Sequence, residues 1–256
     1  LVTNGVYGLG RNLSVAAGLE IRSVNGAAVT ILDGESSNVS VSVSHPAAVL
    51  DGFTVQRCRG FVGGGVYLDE GATLQRSVIR DNRAALSGGG VHANLDCVVS
   101  QCVIANNEVL ADGDGGGLLA LRGARIESCV IVSNTARAGG GVALHFQGNM
   151  VNCLVTHNTA RMGGGVLVGQ GSRLVNCTVT RNSADAAGGA HLFLGGELRN
   201  CIVWDNAAAR GSNLVQQSSR DSTPAILYSA VAPLPAGPGN LDSDPLFVAP
   251  GASDFR

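Results

Sequence analysis

Between Gly139 and Arg210, apolar and polar positions repeat with a period of 24 residues. Each copy opens on small residues: Gly139-Gly140-Gly141, Gly163-Gly164-Gly165, then Ala187-Gly188-Gly189. An apolar alternation follows, as Val142-Ala143-Leu144, Val166-Leu167-Val168 and Ala190-His191-Leu192. A second apolar set then closes on Asn, as Cys153-Leu-Val155-Thr-His-Asn158 and its two successors ending at Asn182 and Asn206. Period-2 alternation in short runs predicts strands with one face inward. Self-similarity at a fixed period of this length predicts stacked copies of one unit. The pattern extends back to Gly63, with small-residue triplets starting at 63, 88, 115, 139, 163, 187 and 211. An Asn column runs through 82, 107, 134, 158, 182 and 206, and a column five residues earlier reads Ser77, Cys102, Cys129, Cys153, Cys177, Cys201. The one long repeat carries its extra residues between Asn107 and Gly115, where a loop can project from a stack.

The less regular residues 1–62 predict strands at Leu13–Val15, Leu19–Arg22, Val29–Leu32, Val39–Val43 and Val49–Val55, with turns at Asn25-Gly26, Asp33-Gly34 and Asp51-Gly52. Ile226–Val231 predicts a last rung with Ser229 in the Cys column, after which Pro233, Pro235 and Pro238 end the ladder. The expected fold is therefore all-β: one parallel β-helix of roughly ten rungs over residues 1–232, with a Pro/Gly-rich tail, 233–256, packing on it or leaving it. Leu174-x-x-Cys177-x-Val179-x-x-Asn182 also has leucine-rich-repeat spacing. Three glycines followed by a second period-2 strand do not supply that fold's other half, since each Gly costs a helix about 1 kcal/mol. Leu174, Cys177 and Val179 should point inward, the Asn residues should form an amide ladder, and the glycines should take turn dihedrals with φ > 0.

Composition narrows the chemistry. Gly accounts for 37 of the 256 residues, charged residues for 14%, and the net charge is −2, which lacks the basic face that nucleic acid requires. All 17 positive charges are Arg, so no lysine base or Schiff base is available. No apolar run reaches membrane-spanning length. Leu1 opens directly into Val-Thr-Asn without a signal peptide, which reads as a trimmed chain, and Gly251–Arg256 likewise reads as cut. Five of the seven Cys share one repeat position, and no Cys-x-x-Cys occurs, so they read as buried thiols rather than zinc ligands, with an adjacent-rung disulfide as the alternative.

Candidate chemistry lies on outward positions. His157, Arg181 and Asp205 occupy one turn column on successive rungs, a line that could hold sugar hydroxyls or a uronate, or could be a solvated edge. Trp204, the single Trp, faces outward and could stack on a sugar or lie under residues 212–235. Tyr67 and His92 lead an outward column that continues through Leu119, Ala143, Leu167 and His191. Leu119, Leu121, Leu167 and Phe193 predict an exposed apolar patch on that face. Glu108, Asp112 and Asp114 form the one acidic cluster; such a loop can hold Ca²⁺ or be a solvated turn. No catalytic residues are singled out.

Leu50-Asp-Gly-Phe-Thr-Val55, the repeated Gly-Gly-Gly-Val-x-Leu and Asn-Cys-x-Val-x-x-Asn resemble the right-handed parallel β-helix proteins of the pectate-lyase-like superfamily, particularly large bacterial secreted or surface proteins. Asn240-Leu-Asp-Ser-Asp-Pro-Leu-Phe-Val248, with Asp254-Phe255, resembles the segment after the β-helix in proteins with a choice-of-anchor region. The superfamily's enzymes imply signatures that this chain departs from: it has no Gly-His-Gly, no adjacent Asp pair and no Lys. The resemblance therefore implies an extracellular or cell-surface, non-catalytic module, a stalk or an adhesive, carbohydrate-binding surface. Its partner would be a polysaccharide or cell-surface glycan, with no cofactor unless Ca²⁺. A polysaccharide lyase or glycoside hydrolase, and a self-assembling element stacked end to end, are the alternatives.

Overall fold

The computed structural model describes residues 1–219 and 222–247, and within them every regular element is a strand. In residues 163–186 one turn of the solenoid runs through Val166–Val168 (sheet I), a turn at Gln170-Gly171, Arg173–Val175 (sheet II), a bend at Asn176-Cys177, Thr178–Thr180 (sheet III), a bend at Arg181-Asn182, and Ser183–Ala186 (sheet IV). Each strand pairs in parallel with its copy one rung away, for example Val142↔Val166↔Ala190. Sheets I and II hold nine strands each and sheet III ten, so the solenoid completes about nine turns, close to the ten expected. Sheet IV comes in two three-stranded pieces, linked by single bridges at Thr135 and Ala138.

Short strands joined by single left-handed residues make the corners. His157, Arg181 and Asp205 have φ of 57°, 56° and 55°, a region in which Asp, Asn and His are enriched. The run Val49–Val55 is two strands, Val49–Asp51 and Thr54–Gln56, because Gly52 (φ 79°) turns the chain from sheet II to sheet III. Gly5–Gly8 is an additional strand that its flanking glycines hid from the pattern. None of these elements is a helix long and apolar enough to cross a membrane.

The interior is one continuous stack. Val166, Val168, Leu174 and Val179 are fully buried, as are their copies in the middle rungs, while Leu13, Ile21 and Leu214 in the terminal rungs are partly buried. The Asn column forms the expected ladder. Asn134 Nδ2 donates to Asn158 Oδ1 (3.0 Å) and to Ile104 O (3.0 Å), while its own Oδ1 accepts from Asn107 N (2.9 Å) and Asn107 Nδ2 (3.0 Å). Cys58 begins this column, its N–H donating to Asn82 Oδ1, and Asn213 Oδ1 ends it by accepting from Asn206 N and Nδ2.

The thiols form a second ladder. Cys129 N donates to Cys153 Sγ (3.3 Å), Cys153 N to Cys177 Sγ (3.4 Å), and each Sγ–H is aimed at the carbonyl two residues back. Ser77 and Ser229 do the same at either end, accepting from Phe53 N and Cys201 N. All seven cysteines are free, and burial pushes Cys58 and Cys201 up to about 12 and Cys97 up to about 11.

The glycine triplets serve two different needs. The first member has φ > 0, as at Gly139 (60°), although Ala187 holds φ 56° at the same position. The second and third are there because neighbouring backbone comes close. A Cβ on Gly140 would lie 2.6 Å from Gly164 O, and one on Gly141 would lie 2.7 Å from Gly165 O.

The start of the tail closes the C-terminal end of the rod. Val231 N donates to Leu241 O and Leu241 N to Ser229 O, while Asn240 Oδ1 accepts from Ser229 N and its Nδ2 donates to Ile226 O. Residues 237–241 thus pack on the last rung instead of leaving it. Val248, Asp254 and Phe255 of the anchor-like segment lie outside the described residues.

Candidate binding faces

The site residues expected from sequence fall into three separate places. Arg181 and Asp205 come together on adjacent rungs, Nε to Oδ2 3.3 Å, with Arg181 the more covered partner. His157, one rung below, has Nδ1 2.9 Å from Thr156 Oγ1. Trp204 is half-buried and in register with Thr180, which is fully buried although it points away from the core. Beside them the outer surface of sheets II and III sinks into a depression of about 370 Å³, lined by Asn176, Thr178, Asn200, Ile202, Tyr228 and Leu241. Asn200 Nδ2 donates to Asn176 Oδ1 (2.7 Å), and Tyr228 is 56% exposed. Ile202 and Trp204 stand two residues apart on one strand and so share its outer face. The surface therefore offers two aromatic rings, a pair of amides and an Arg–Asp pair over three rungs.

Sequence reasoning reached only part of this face. Asn152, Asn176, Asn200 and Tyr228 form a left-handed corner column (φ 51–55°) that no apolar periodicity marks. The available signal was their position immediately before Cys153, Cys177, Cys201 and Ser229.

His92 and Tyr67 lie on sheet I, four and five rungs from the Trp204 turn, about 19 and 24 Å away along the axis. Their rings are 5.3 Å apart. Tyr67 OH donates to Asp69 Oδ2 (2.9 Å), and His92 Nδ1 is 3.2 Å from Ser87 Oγ. Burial lowers His92 to about 4, with Asp69 opposing; burial and then the Asp69 bond hold the Tyr67 hydroxyl above its ordinary range.

Further along sheet I the expected exposed patch is covered. Leu119 and Leu167 are buried, with Ala138 and Ala143, and Met162, Leu121 and Phe193 pack against them. The cause is the tight glycine turn, which folds sheet IV back so that Ala138 and Met162 lie on the outer face of sheet I. Phe193 lies where a Gly169 side chain would project, so that glycine is required by close approach. The ring then meets the edges of His145 (centroids 5.8 Å) and His191 (6.2 Å). Burial, with Arg210 adding to it and Gln217 opposing, keeps His191 below the usual imidazole range.

The loop acids do not converge. Glu108 Oε2 meets Arg83 Nε (3.0 Å), Asp114 meets Arg137 (3.4 Å) and His145 Nε2 (3.5 Å), and Arg137 Nε is bound to Asp112 O. Among the described residues no group of three or more His, Cys, Asp or Glu side chains is arranged to hold a metal ion.

A family model described as "Right handed beta helix region" matches residues 4–223. No curated protein matches the chain, and no solved structure does.

Proposed function

The chain belongs to the right-handed β-helix family, and from that premise we propose that it is a rigid, non-catalytic, surface-displayed module that binds saccharide chains on the C-terminal outer face of sheets II and III. The observation that carries this reading is the 370 Å³ depression between the Asn176–Asn200 amide pair and Tyr228, flanked by Trp204 and the Arg181–Asp205 pair. Pyranose rings present an apolar face to aromatic side chains and hydroxyls to amides and ion pairs, and this surface supplies both within three rungs. A backbone held by parallel ladders on every side keeps that spacing fixed, so little ordering is needed on binding. The extracellular or cell-surface setting and the kinship with pectate-lyase-like proteins belong to the same proposal.

The test is titration of a panel of soluble polysaccharides against the protein, following Trp204 fluorescence, with Tyr228→Ala and Asn200→Ala alongside. Binding that saturates and falls at least tenfold in both variants supports the reading. Absence of binding across neutral and acidic polymers, or affinity indifferent to both substitutions, overturns it. Turnover of any polymer, seen as new ultraviolet absorbance from an unsaturated product or as new reducing ends, would replace it with the catalytic alternative.

A further inference from the structure

A different surface carries an inference independent of saccharide binding. Sheet IV begins late. The first two passages from sheet III to sheet I, through residues 9–12 and then the loop 34–40, have no sheet IV strand, so Arg59–Val62 is an edge strand paired on one side only, with Arg83–Ser87. Below it the loop makes one backbone bond to the strand itself, Arg59 N to Val39 O (3.1 Å), its other bonds, Gly34 N to Gln56 O and Ser36 N to Arg57 O, going to the residues before the strand. Beside this edge lies a depression of about 500 Å³, with Asn12, Asn38 and Ser40 on one wall and Arg59, Gly60 and Phe61 on the other, which runs on over the next strands to Arg83, Ala85 and Leu110.

The charges around that space are unbalanced. In register along sheet IV the column reads Arg59, Arg83, Glu108. Arg83 is satisfied from above by Glu108, Arg57 is held by Asp33, and Arg80 by Asp81. Arg59 makes no ion pair or side-chain hydrogen bond among the described residues and stands next to a like charge in register, an unfavourable pairing on a sheet. Two residues along, on the same face, Phe61 is 70% exposed.

We propose that this slot accepts an extended peptide from a partner protein, added as a further strand of sheet IV. An acidic residue of that peptide would lie against Arg59, and an apolar residue two positions on would lie against Phe61. The Arg83–Glu108 pair one rung higher shows the geometry that the incoming carboxylate would repeat. Main-chain bonds to an open edge supply affinity in such additions, and alternate side chains supply selection. The recognised pattern is therefore acidic-x-apolar in an extended segment.

The test uses two sets of synthetic nine-residue peptides, one with a fixed central Glu-x-Phe and one with Lys-x-Phe, titrated against the full chain by fluorescence anisotropy. The expected result is at least tenfold tighter binding of the Glu set, inverted in Arg59→Glu and lost in Phe61→Ala. Hydrogen exchange should slow within 59–62 when the Glu peptides bind. Arg161→Glu, a charge reversal at another exposed arginine, should leave the preference unchanged. Equal affinity for both sets, no binding of either, a preference that survives Arg59→Glu in a folded variant, or protection elsewhere than 59–62 would each overturn the proposal. Binding of a polyuronate at this edge in place of the peptides would do so too.

Discussion

Removing one rung of the amide ladder should cost far more at its centre than at its end. Asn134→Ala withdraws an oxygen that accepts from Asn107 N and Asn107 Nδ2, and a nitrogen that donates to Ile104 O, Val132 O and Asn158 Oδ1. Asn134 and Asn107 are essentially inaccessible, so the Asn107 N–H is stranded outright, while its side-chain nitrogen keeps only Ile79 O. A buried group left unpaired costs about 1–3 kcal/mol, and two or three are affected, so the loss should be about 3–5 kcal/mol. A water admitted to the gap would pull the figure toward the lower end. Asn206→Ala strands Asn182 in the same way, but it sits next to the last rung, where fraying is cheaper, and should cost about 1–2 kcal/mol. Urea unfolding followed by circular dichroism measures both. Trp204 reports only on the C-terminal part, so in Asn134→Ala its transition should separate from the dichroism transition as the stack divides. A central loss below about 1 kcal/mol, or equal losses at the two sites, would refute the claim that the ladder couples the rungs.

Three further outcomes follow from the same geometry. Gly140→Ala, whose Cβ would press on Gly164 O, should cost more than 3 kcal/mol, whereas Gly171→Ala, with φ 73° but only Gln147 Cγ at 3.8 Å, should cost about 1–2 kcal/mol by urea unfolding; a reversed order would mean that dihedral preference, not contact, fixes the triplets. Cys129→Ser should lie within about 1 kcal/mol of the parent, because Ser77 and Ser229 already play this part, while Cys129→Val strands Cys102 N and should cost about 1–3 kcal/mol; a more stable Val variant would show the thiols to be mere filler. His92 is held neutral, its folded pKa near 4 lying below the ordinary 6.5, so its contribution is complete above pH 6.5 and is lost as pH falls toward 4, reaching about 3 kcal/mol; the difference in urea midpoint between parent and His92→Asn should shrink across that window, and a difference constant with pH would contradict it.

The scaffold was legible in the sequence because stacking writes it as columns. Leu174, Cys177, Val179 and the Asn series each recur in register, and the residues that repeat are those that face their own copies. What escaped was whatever depends on contact between columns. Period-2 reasoning placed Leu119 and Leu167 outward, correctly, and from that predicted exposure. It had no way to register that a three-glycine turn brings Ala138 and Met162 down over them. The glycines themselves were assigned to positive φ, which holds for the first of each triplet; the other two are dictated by backbone approach, visible only once the neighbouring rung is present. The thiol ladder was half-legible: Ser at both ends of a Cys column argues for hydrogen bonding over mere volume.

The candidate faces lie where the columns change identity, and this has a physical cause. An interior position must match its copies above and below, so it is not free to specialise. An outward position is constrained only by its neighbours on the surface, and there the same column reads Arg57, Asp81, Asn106, Ser133, His157, Arg181 and Asp205 in turn. Each rung can therefore carry different chemistry on an unchanged frame. At one end of that frame Tyr228 and the Asn176–Asn200 pair gather beside Trp204; at the other, a sheet that starts two strands late leaves Arg59 without its counter-charge. If the two regions bind different partners, substitutions at Arg59 should leave saccharide titrations unaltered, and substitutions at Tyr228 should leave peptide titrations unaltered, since independent sites several rungs apart are expected to be additive. Loss of both activities from either single substitution, in protein that keeps its dichroism spectrum and urea midpoint, would mean that the rod does not isolate its rungs as this stacking implies.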